Sequence, residues 1–183
     1  MTVGHRPYLG LPDLHCPSVQ IASTTYGAVS RAIRYLGDIP PHPQVSTFTL
    51  QFPTSHEEIL ENWRNHIHLV TSQRNDLQQT RKVVAVIDAI VANPGVRLPW
   101  KEMVAICRDA GVWSVVDAAH SIGQEVDINL SEAKPDFWVS VGPNSCHLIL
   151  DQLTLNRIAT SGFSQSVGAQ YFMFLRGMVQ IFD

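Results

Sequence analysis

The segment Val112–Gln124 restricts the possible folds more than any other part of the sequence. It reads VWSVVDAAHSIGQ, a run of Val and Trp that ends in an acid, Asp117. The run follows Gly111 and is typical of a buried strand entered from the C-terminus of a helix. In a parallel sheet, such a strand brings its last residue to the carboxyl edge, where α/β proteins bind ligands. Because a buried acid needs a partner, either a backbone group or an arginine satisfies Asp117, as when an acid caps the next helix, or a ligand does.

Strand and helix patterns alternate on both sides of this segment. Apolar runs predict strands at Val19–Ser23, Val45–Phe52, Lys82–Ala92 and Asp136–Val141. Helical spacing and capping residues predict helices from Thr24 or Thr25 to Leu36, from the capping box at Thr54–Glu57 or Ser55–Glu58 to Val70, and from Pro99 to Gly111. A turn or short helix is expected at Asp127–Ala133. This order predicts an α/β fold, with a mainly parallel sheet flanked by helices.

Three side-chain environments follow from these patterns. The run Lys82–Ala92 is almost entirely apolar, which predicts a central strand covered on both faces. Cys107 lies on the apolar stripe of its helix and is expected in the core rather than as a nucleophile. His66 and His68 are two residues apart, so they do not share a helix face, and both are expected at the surface.

Composition excludes several classes of partner. The chain has 183 residues, a net charge of −3 and no basic block, so neither nucleic acid nor an anionic membrane is expected to bind it. It contains no apolar run long enough for a transmembrane helix and no signal peptide, which predicts a cytoplasmic protein. The three cysteines are widely spaced and predict neither disulfides nor a metal site. Only 16% of the residues are charged, which suggests that a partner or further chain covers part of the surface.

Several polar residues are predicted at or just after strand ends, and together they could line one cleft. They are Tyr26, Asn93, Asp117 with His120, and Ser140. No glycine-rich phosphate loop follows any predicted strand, which disfavours a dinucleotide-binding or P-loop protein. An unrelated α/β module that binds a nucleotide through Asp117 and Asn93 is a weaker alternative for the same reason.

Three segments together resemble the class V aminotransferases of the pyridoxal-phosphate-dependent fold type I superfamily. They are STTYGAVSRAIRYL (Ser23–Leu36), VVAVIDAIVANPGVRLPW (Val83–Trp100), and WSVVDAAHSIGQ with PDFWVS (Trp113–Ser140). They are similar to the group that contains isopenicillin N epimerase and fungal cysteine-sulfoxide lyases. The resemblance implies a partial large domain of such an enzyme and a pyridoxal phosphate cofactor. It also implies an amino-acid substrate that undergoes transamination, epimerisation or C–S cleavage.

The resemblance also implies roles for individual residues. Asp117 matches the acid that pairs with the pyridine nitrogen, and such a carboxylate keeps that nitrogen protonated. His120 and Asn93 match residues that approach the phenolic oxygen of the ring. Tyr26 matches the residue that stacks on the ring face, and His147 belongs to the family's Asn-Cys-His-Lys-Trp segment.

In that segment the chain departs from the family pattern. Cys146 and His147 are recognisable, but relative to the family pattern a short stretch containing Gly142 and Pro143 is inserted. Leu148 stands where the family has the lysine that binds the cofactor covalently. Leucine cannot form an imine, so no catalytic lysine and no covalent attachment are expected. The lysines that the chain does have are expected away from the cofactor; they are Lys82, Lys101 and Lys134.

The resemblance stops near both ends of the chain. We expect an irregular segment at residues 1–18, a partial large domain at 19–148 and a segment without family match at 149–183. Fold type I active sites lie at dimer interfaces, which implies a homodimer or a heterodimer with a full-length relative. The chain is thus expected to be either an impaired enzyme of this family or a non-catalytic, truncated remnant or interaction subunit.

Overall fold

A six-stranded sheet forms the centre of the molecule. The computed structural model describes residues 18–39, 42–76, 82–142 and 145–150. The strands are β1 (Ser18–Ala22), β2 (Gln44–Phe48), β3 (Val83–Asp88), β4 (Ile90–Val91), β5 (Val96–Arg97), β6 (Trp113–Asp117), β7 (Phe137–Gly142) and β8 (Ser145–Leu150). The main sheet has the order β2-β1-β3-β6-β7-β8, and β4 pairs with β5 in a separate hairpin. All neighbours in the main sheet are parallel except β7 and β8, which confirms the predicted mainly parallel α/β fold.

Helices cover both faces of this sheet. They are α1 (Gly27–Gly37), α2 (His56–Asp76), α3 (Trp100–Asp109) and α4 (Leu130–Ala133). On one face, α1 packs its buried stripe of Val29, Ile33 and Leu36 against β-strand residues such as Val84 and Val115. On the other face, α2 and α3 pack against the alternate residues of the same strands. The double cover explains why every residue of β3 is buried.

The sequence prediction of α2 is confirmed in its start and in its buried face. The Ser55 hydroxyl accepts a hydrogen bond of 3.2 Å from the backbone N–H of Glu58, so it caps the helix as the pattern indicated. Ile59, Trp63 and Ile67 are buried on one stripe. Trp63 also donates its indole N–H to the Met103 carbonyl at 3.2 Å, which ties α2 to α3.

The predicted cap of α1 is wrong. The N-cap residue is Tyr26, and neither Thr24 nor Thr25 caps the helix with its side chain. The Thr25 hydroxyl is used elsewhere, because it bonds the Asp88 carboxylate across the sheet edge. A buried acid on β3 therefore competes successfully with the helix for this hydroxyl.

Two predicted strands are longer than the observed ones. The strand expected at Val45–Phe52 ends at Phe48, where its pairing with β1 ends. The run Lys82–Ala92 leaves the main sheet after Asp88 and forms the β4–β5 hairpin instead. Apolar content does not reveal this turn, because Ala89 and Val91 remain buried after the strand has ended.

His66 is not the surface residue that the sequence suggested. Its Nε2 lies 3.0 Å from Gln20 Oε1, and its ring stacks on Trp63 with 5.9 Å between ring centroids. Burial lowers the pKa of His66. His68 is exposed, as predicted.

Cys107 is fully buried, and burial raises the pKa of its thiol to about 12, in agreement with a core role. In the part of the chain that the structure describes, no helix is long and apolar enough to cross a membrane.

Candidate functional site

Two carboxylates lie side by side at the carboxyl edge of the main sheet. Asp117 is the last residue of β6, and its register partner Asp88 is the last residue of β3. Both are buried, at 7% and 4% exposure. Side chains alternate along a strand, and Val86 and Val115 belong to the core on the α1 side. Asp88 and Asp117 therefore point to the α1 face as well.

The surroundings of Asp88 favour its neutral form. Burial and the neighbouring Asp117 carboxylate raise the pKa of Asp88 to about 7, although hydrogen bonds from Thr25 and from the Tyr26 backbone oppose the shift. Asp117 Oδ1 accepts a hydrogen bond of 3.1 Å from the Ala119 backbone N–H. The edge thus combines one acid that is readily protonated at neutral pH with a second acid beside it.

The N-terminus of α1 begins at the same edge and on the same face. Its N-cap residue Tyr26 makes no side-chain capping bond, and the first turn contains no acidic residue. The Thr24 hydroxyl oxygen is buried and has no hydrogen-bond partner among the described residues. Unpaired helix N–H groups and a free hydroxyl suit an anion such as a phosphate.

The other residues that the sequence predicted at the site differ in exposure and in their place in the fold. The Tyr26 side chain is 58% exposed directly before α1. His120 is exposed in the turn after β6. Asn93 is exposed in the turn between β4 and β5, so it does not directly follow the central strand β3 as predicted. Ser140 is buried within β7 and donates its hydroxyl proton to the Ala118 carbonyl at 2.9 Å.

The register of the β7–β8 hairpin determines where along the sheet Leu148 lies, the residue at the expected lysine position. Val139 pairs with Asp117 on one side and with Leu148 on the other, and Ser140 pairs with His147. The backbone of Leu148 is therefore on the same row of the sheet as Asp88 and Asp117.

The lysines lie where the sequence placed them. Lys82 directly precedes β3, at the end opposite to Asp88. Lys101 lies in the first turn of α3 and donates to the Asp127 carbonyl at 2.7 Å. Lys134 is the C-cap residue of α4.

Sequence reasoning missed Asp88. The available signal was an acid in an otherwise apolar run, VVAVIDAIVA. A carboxylate in such a run is expected to be buried, and burial requires that it be paired or protonated. The contact with Thr25 spans 63 residues of sequence, so no local pattern contains it.

Comparison with known proteins finds relatives that match about two thirds of this chain. The L-cysteine desulfhydrase-like protein lolT1 of Epichloe uncinata is 31% identical over 125 residues, which are 68% of this chain and 25% of the fungal protein. A probable chloroplastic L-cysteine desulfhydrase of Arabidopsis thaliana is 38% identical over 118 residues, 63% of this chain and 23% of the plant protein. No family model matches the chain.

Solved structures agree on the fold. The cystine C-S lyase C-DES has a TM-score of 0.59 at 16% identity, over 91% of this chain and 50% of that one. The SepCysS protein, solved with the N-terminal domain of SepCysE, has a TM-score of 0.59 at 14% identity, over 92% of this chain and 47% of that one. The chain belongs to the pyridoxal-phosphate-dependent fold type I superfamily.

This fold type I chain spans about a quarter of the curated relatives and about half of the solved structures that it matches. The cofactor that this membership indicates is pyridoxal phosphate. The residues at the carboxyl edge fit that group. Asp117 provides a carboxylate for a ring nitrogen, while the α1 N-terminus and the Thr24 hydroxyl provide donors for a phosphate.

Proposed function

We propose that this chain binds pyridoxal phosphate at the carboxyl edge of its sheet, with Asp117 as partner of the pyridine nitrogen. The observation that carries the proposal is the position of Asp117. It is the buried end of β6, on the face where α1 begins with uncapped N–H groups and the unpartnered Thr24 hydroxyl. A carboxylate and an anion-binding helix end thus lie on the same face, as a ring nitrogen and a phosphate on one molecule require.

Each protein group would have a separate task. Asp117 would accept a hydrogen bond from the protonated ring nitrogen. Its negative charge would stabilise the cationic ring and so keep the nitrogen protonated. The α1 N-terminus and Thr24 hold the phosphate. By the family resemblance, Tyr26 would cover one face of the ring, and His120 and Asn93 would approach its phenolic oxygen. His147 is proposed as a further cofactor-binding residue. When bound, the cofactor supplies an electron sink for a carbanion at the substrate α-carbon.

The full-length activity that this site suggests is cleavage of a C–S bond in a sulfur-containing amino acid. The support is that the curated relatives are named cysteine desulfhydrases and that one structural neighbour is a cystine C-S lyase. We place the chain in class V of the superfamily, on the segments Ser23–Leu36 and Trp113–Ser140, and expect a cytoplasmic protein.

We further propose that the cofactor binds without a covalent bond and that the chain on its own is catalytically impaired. Leu148 on β8 lies in the same row of paired residues across the sheet as Asp88 and Asp117. A leucine has no amine with which to bind the cofactor covalently. Lys82 and Lys134 precede β3 and β7, so they lie toward the amino ends of these strands, away from the carboxyl edge.

The test is absorbance of the purified chain with added pyridoxal phosphate, followed by borohydride and mass spectrometry of the dialysed protein. We expect a saturable cofactor signal that dialysis removes and no mass increase after reduction. A stoichiometric adduct on any wild-type lysine would contradict non-covalent binding. The variant Leu148→Lys is the matched positive control, and it should gain an adduct at residue 148.

The variant Asp117→Ala tests the binding site itself. It should lose about tenfold or more in cofactor affinity, since a charge-assisted hydrogen bond contributes about 1.5–3 kcal/mol. The variant Asp127→Ala is the control, because Asp127 contacts Lys101 and lies outside the site. Equal affinities in the two variants would remove Asp117 from the proposal.

A second candidate function is that of a non-catalytic subunit. The observation that favours it is Leu148 at the expected lysine position, and the structural neighbour SepCysS is itself described in complex with part of another protein. Under this function the chain associates with a second copy or with a full-length relative. Co-expression with such a relative and light scattering of the purified mixture would give a stable mixed assembly, whereas separate elution of the two chains would exclude it.

A further inference from the structure

Asp88 stands out at the proposed site because it neither aligns with a predicted role nor faces solvent. It ends β3, is 4% exposed, and lies in register with Asp117 on the adjacent strand. Both side chains point to the α1 face, so the two carboxylates share one buried region. An acid is retained in such a place only if its contacts offset the repulsion and the desolvation.

Two of those contacts come from one turn, the segment between β1 and α1. The Thr25 hydroxyl donates to Asp88 Oδ2 at 3.2 Å and accepts a hydrogen bond of 3.1 Å from the Ala22 backbone N–H. The backbone N–H of Tyr26 also bonds Asp88. Thr25 is 7% exposed, so this hydroxyl has no ready exchange with solvent. The segment between β1 and α1 is thereby tied to the end of β3.

We propose that Asp88 is a positioning residue, which fixes the turn Ser23–Tyr26 against the sheet edge so that Tyr26 and the α1 N-terminus stand beside Asp117. The proposal rests on the proposed function, since the fixed turn serves the ligand that Asp117 binds. Asp88 itself does not touch that ligand. It acts through Thr25 and Tyr26, by holding the turn in the geometry that places a ring-covering side chain and anion-binding N–H groups on one side of the site.

The conservative variant Asp88→Asn separates this role from a role that needs charge. An asparagine oxygen can accept from Thr25 and from the Tyr26 N–H, and its amide can donate toward Asp117. Asp88→Ala and Thr25→Val both remove the tie. The matched control is Ser114→Ala, because Ser114 and Asp136 form a partly buried hydroxyl–carboxylate pair of 2.9 Å at the opposite end of β6.

The first measurement is amide hydrogen exchange of the cofactor-free chain at residues 23–30. We expect exchange about tenfold faster in Asp88→Ala and Thr25→Val, because a lost buried hydrogen bond lowers the local opening free energy. Asp88→Asn and Ser114→Ala should match the wild type in this segment. Unchanged exchange in Thr25→Val, or equal acceleration in Asp88→Asn and Asp88→Ala, would overturn the proposal.

The second measurement is the dissociation constant for pyridoxal phosphate and the induced circular dichroism of the bound ring. Asp88→Ala and Thr25→Val should bind about tenfold more weakly and show a smaller dichroism per bound cofactor, while Asp88→Asn and Ser114→Ala keep both values. Unchanged affinity and dichroism with a loosened turn would overturn the positioning role while the proposed function stands. If the wild type shows no affinity but the exchange pattern holds, the proposed function fails and the role of Asp88 in fixing the turn stands.

Discussion

At the scale of single residues, charge and burial conflict at Asp88 and Asp117. The sequence predicted Asp117 as a strand-end acid because a terminal acid after an apolar run is a local pattern. It did not predict that Asp88 would be its neighbour, since register between β3 and β6 depends on the packing of the whole sheet. His66 was expected at the surface for the same reason: its partner Gln20 lies 46 residues earlier, so no local pattern contains the contact.

Asp88 should make stability depend on pH. The pKa of Asp88 is about 7 in the folded chain against 3.8 for an ordinary aspartate, so the folded state binds the proton more tightly. The free energy of unfolding should therefore fall as pH rises from about 4 to 7, by about 1.4 kcal/mol for each unit of pKa difference. Asp88→Asn should remove this loss. Urea unfolding of both proteins from pH 5 to 8 checks it, and parallel curves would contradict the raised pKa.

His66 should act in the opposite direction. Burial lowers the pKa of His66 below 6.5, so the unfolded chain takes up the proton first. The free energy of unfolding should fall as pH decreases through about 6.5. His66→Gln should reduce this acid-side loss, whereas His68→Gln, on an exposed residue of the same helix, should not. Thermal unfolding between pH 5 and 7.5 measures the difference, and identical behaviour of the two variants would refute the assignment.

At the scale of elements, local signals predicted the helices better than the ends of the strands. The start of α2 was predictable because Ser55 and Glu58 carry their own capping geometry within four residues. The β4–β5 hairpin was not, because the turn after Asp88 arises within a continuous apolar run. Tyr26 became the N-cap of α1 because Thr25 is bound to a distant acid, a competition that propensity does not describe.

The contact between α2 and α3 should carry much of the stability on its face of the sheet. Trp63 is 1% exposed, packs edge-on against Phe48 and bonds the Met103 carbonyl. Trp63→Ala should lower the free energy of unfolding by about 3–5 kcal/mol, through lost burial and the cavity that remains. Leu69→Ala is the control on the same helix, because Leu69 is 56% exposed, and it should change stability by less than about 0.5 kcal/mol. Chemical denaturation compares the two.

At the scale of the whole molecule, the family resemblance predicted the architecture that periodicity alone only outlined. Alternating strand and helix patterns indicated an α/β sheet, and the similarity of about residues 23–140 indicated which one. The structure and the relatives agree with that assignment. The roles of individual site residues stay predictions, because they depend on a bound ligand and on the parts of the longer relatives that this chain does not match.

Exposed apolar residues after β6 predict self-association. Val126 is fully exposed and Ile122 is 49% exposed, both in the segment that follows Asp117. Val126→Lys should lower the association constant several-fold, because it places a charge in an apolar contact. Leu69→Lys on α2 is the control for charge alone. Sedimentation velocity over a range of concentrations measures the effect, and equal association of both variants would exclude this surface.

The β7–β8 hairpin also determines how the chain tolerates changes of length near the site. In an antiparallel ladder the two strands are counted from a common tip, so an extra pair of residues at the tip adds one rung and leaves the older rungs paired as before. Gly142, which the family resemblance treats as part of an inserted stretch, pairs with Ser145 as the last described rung toward this tip. The hairpin can therefore lengthen or shorten by pairs over evolutionary time while Leu148 stays opposite Val139. A change by a single residue would instead turn the whole of β8 over.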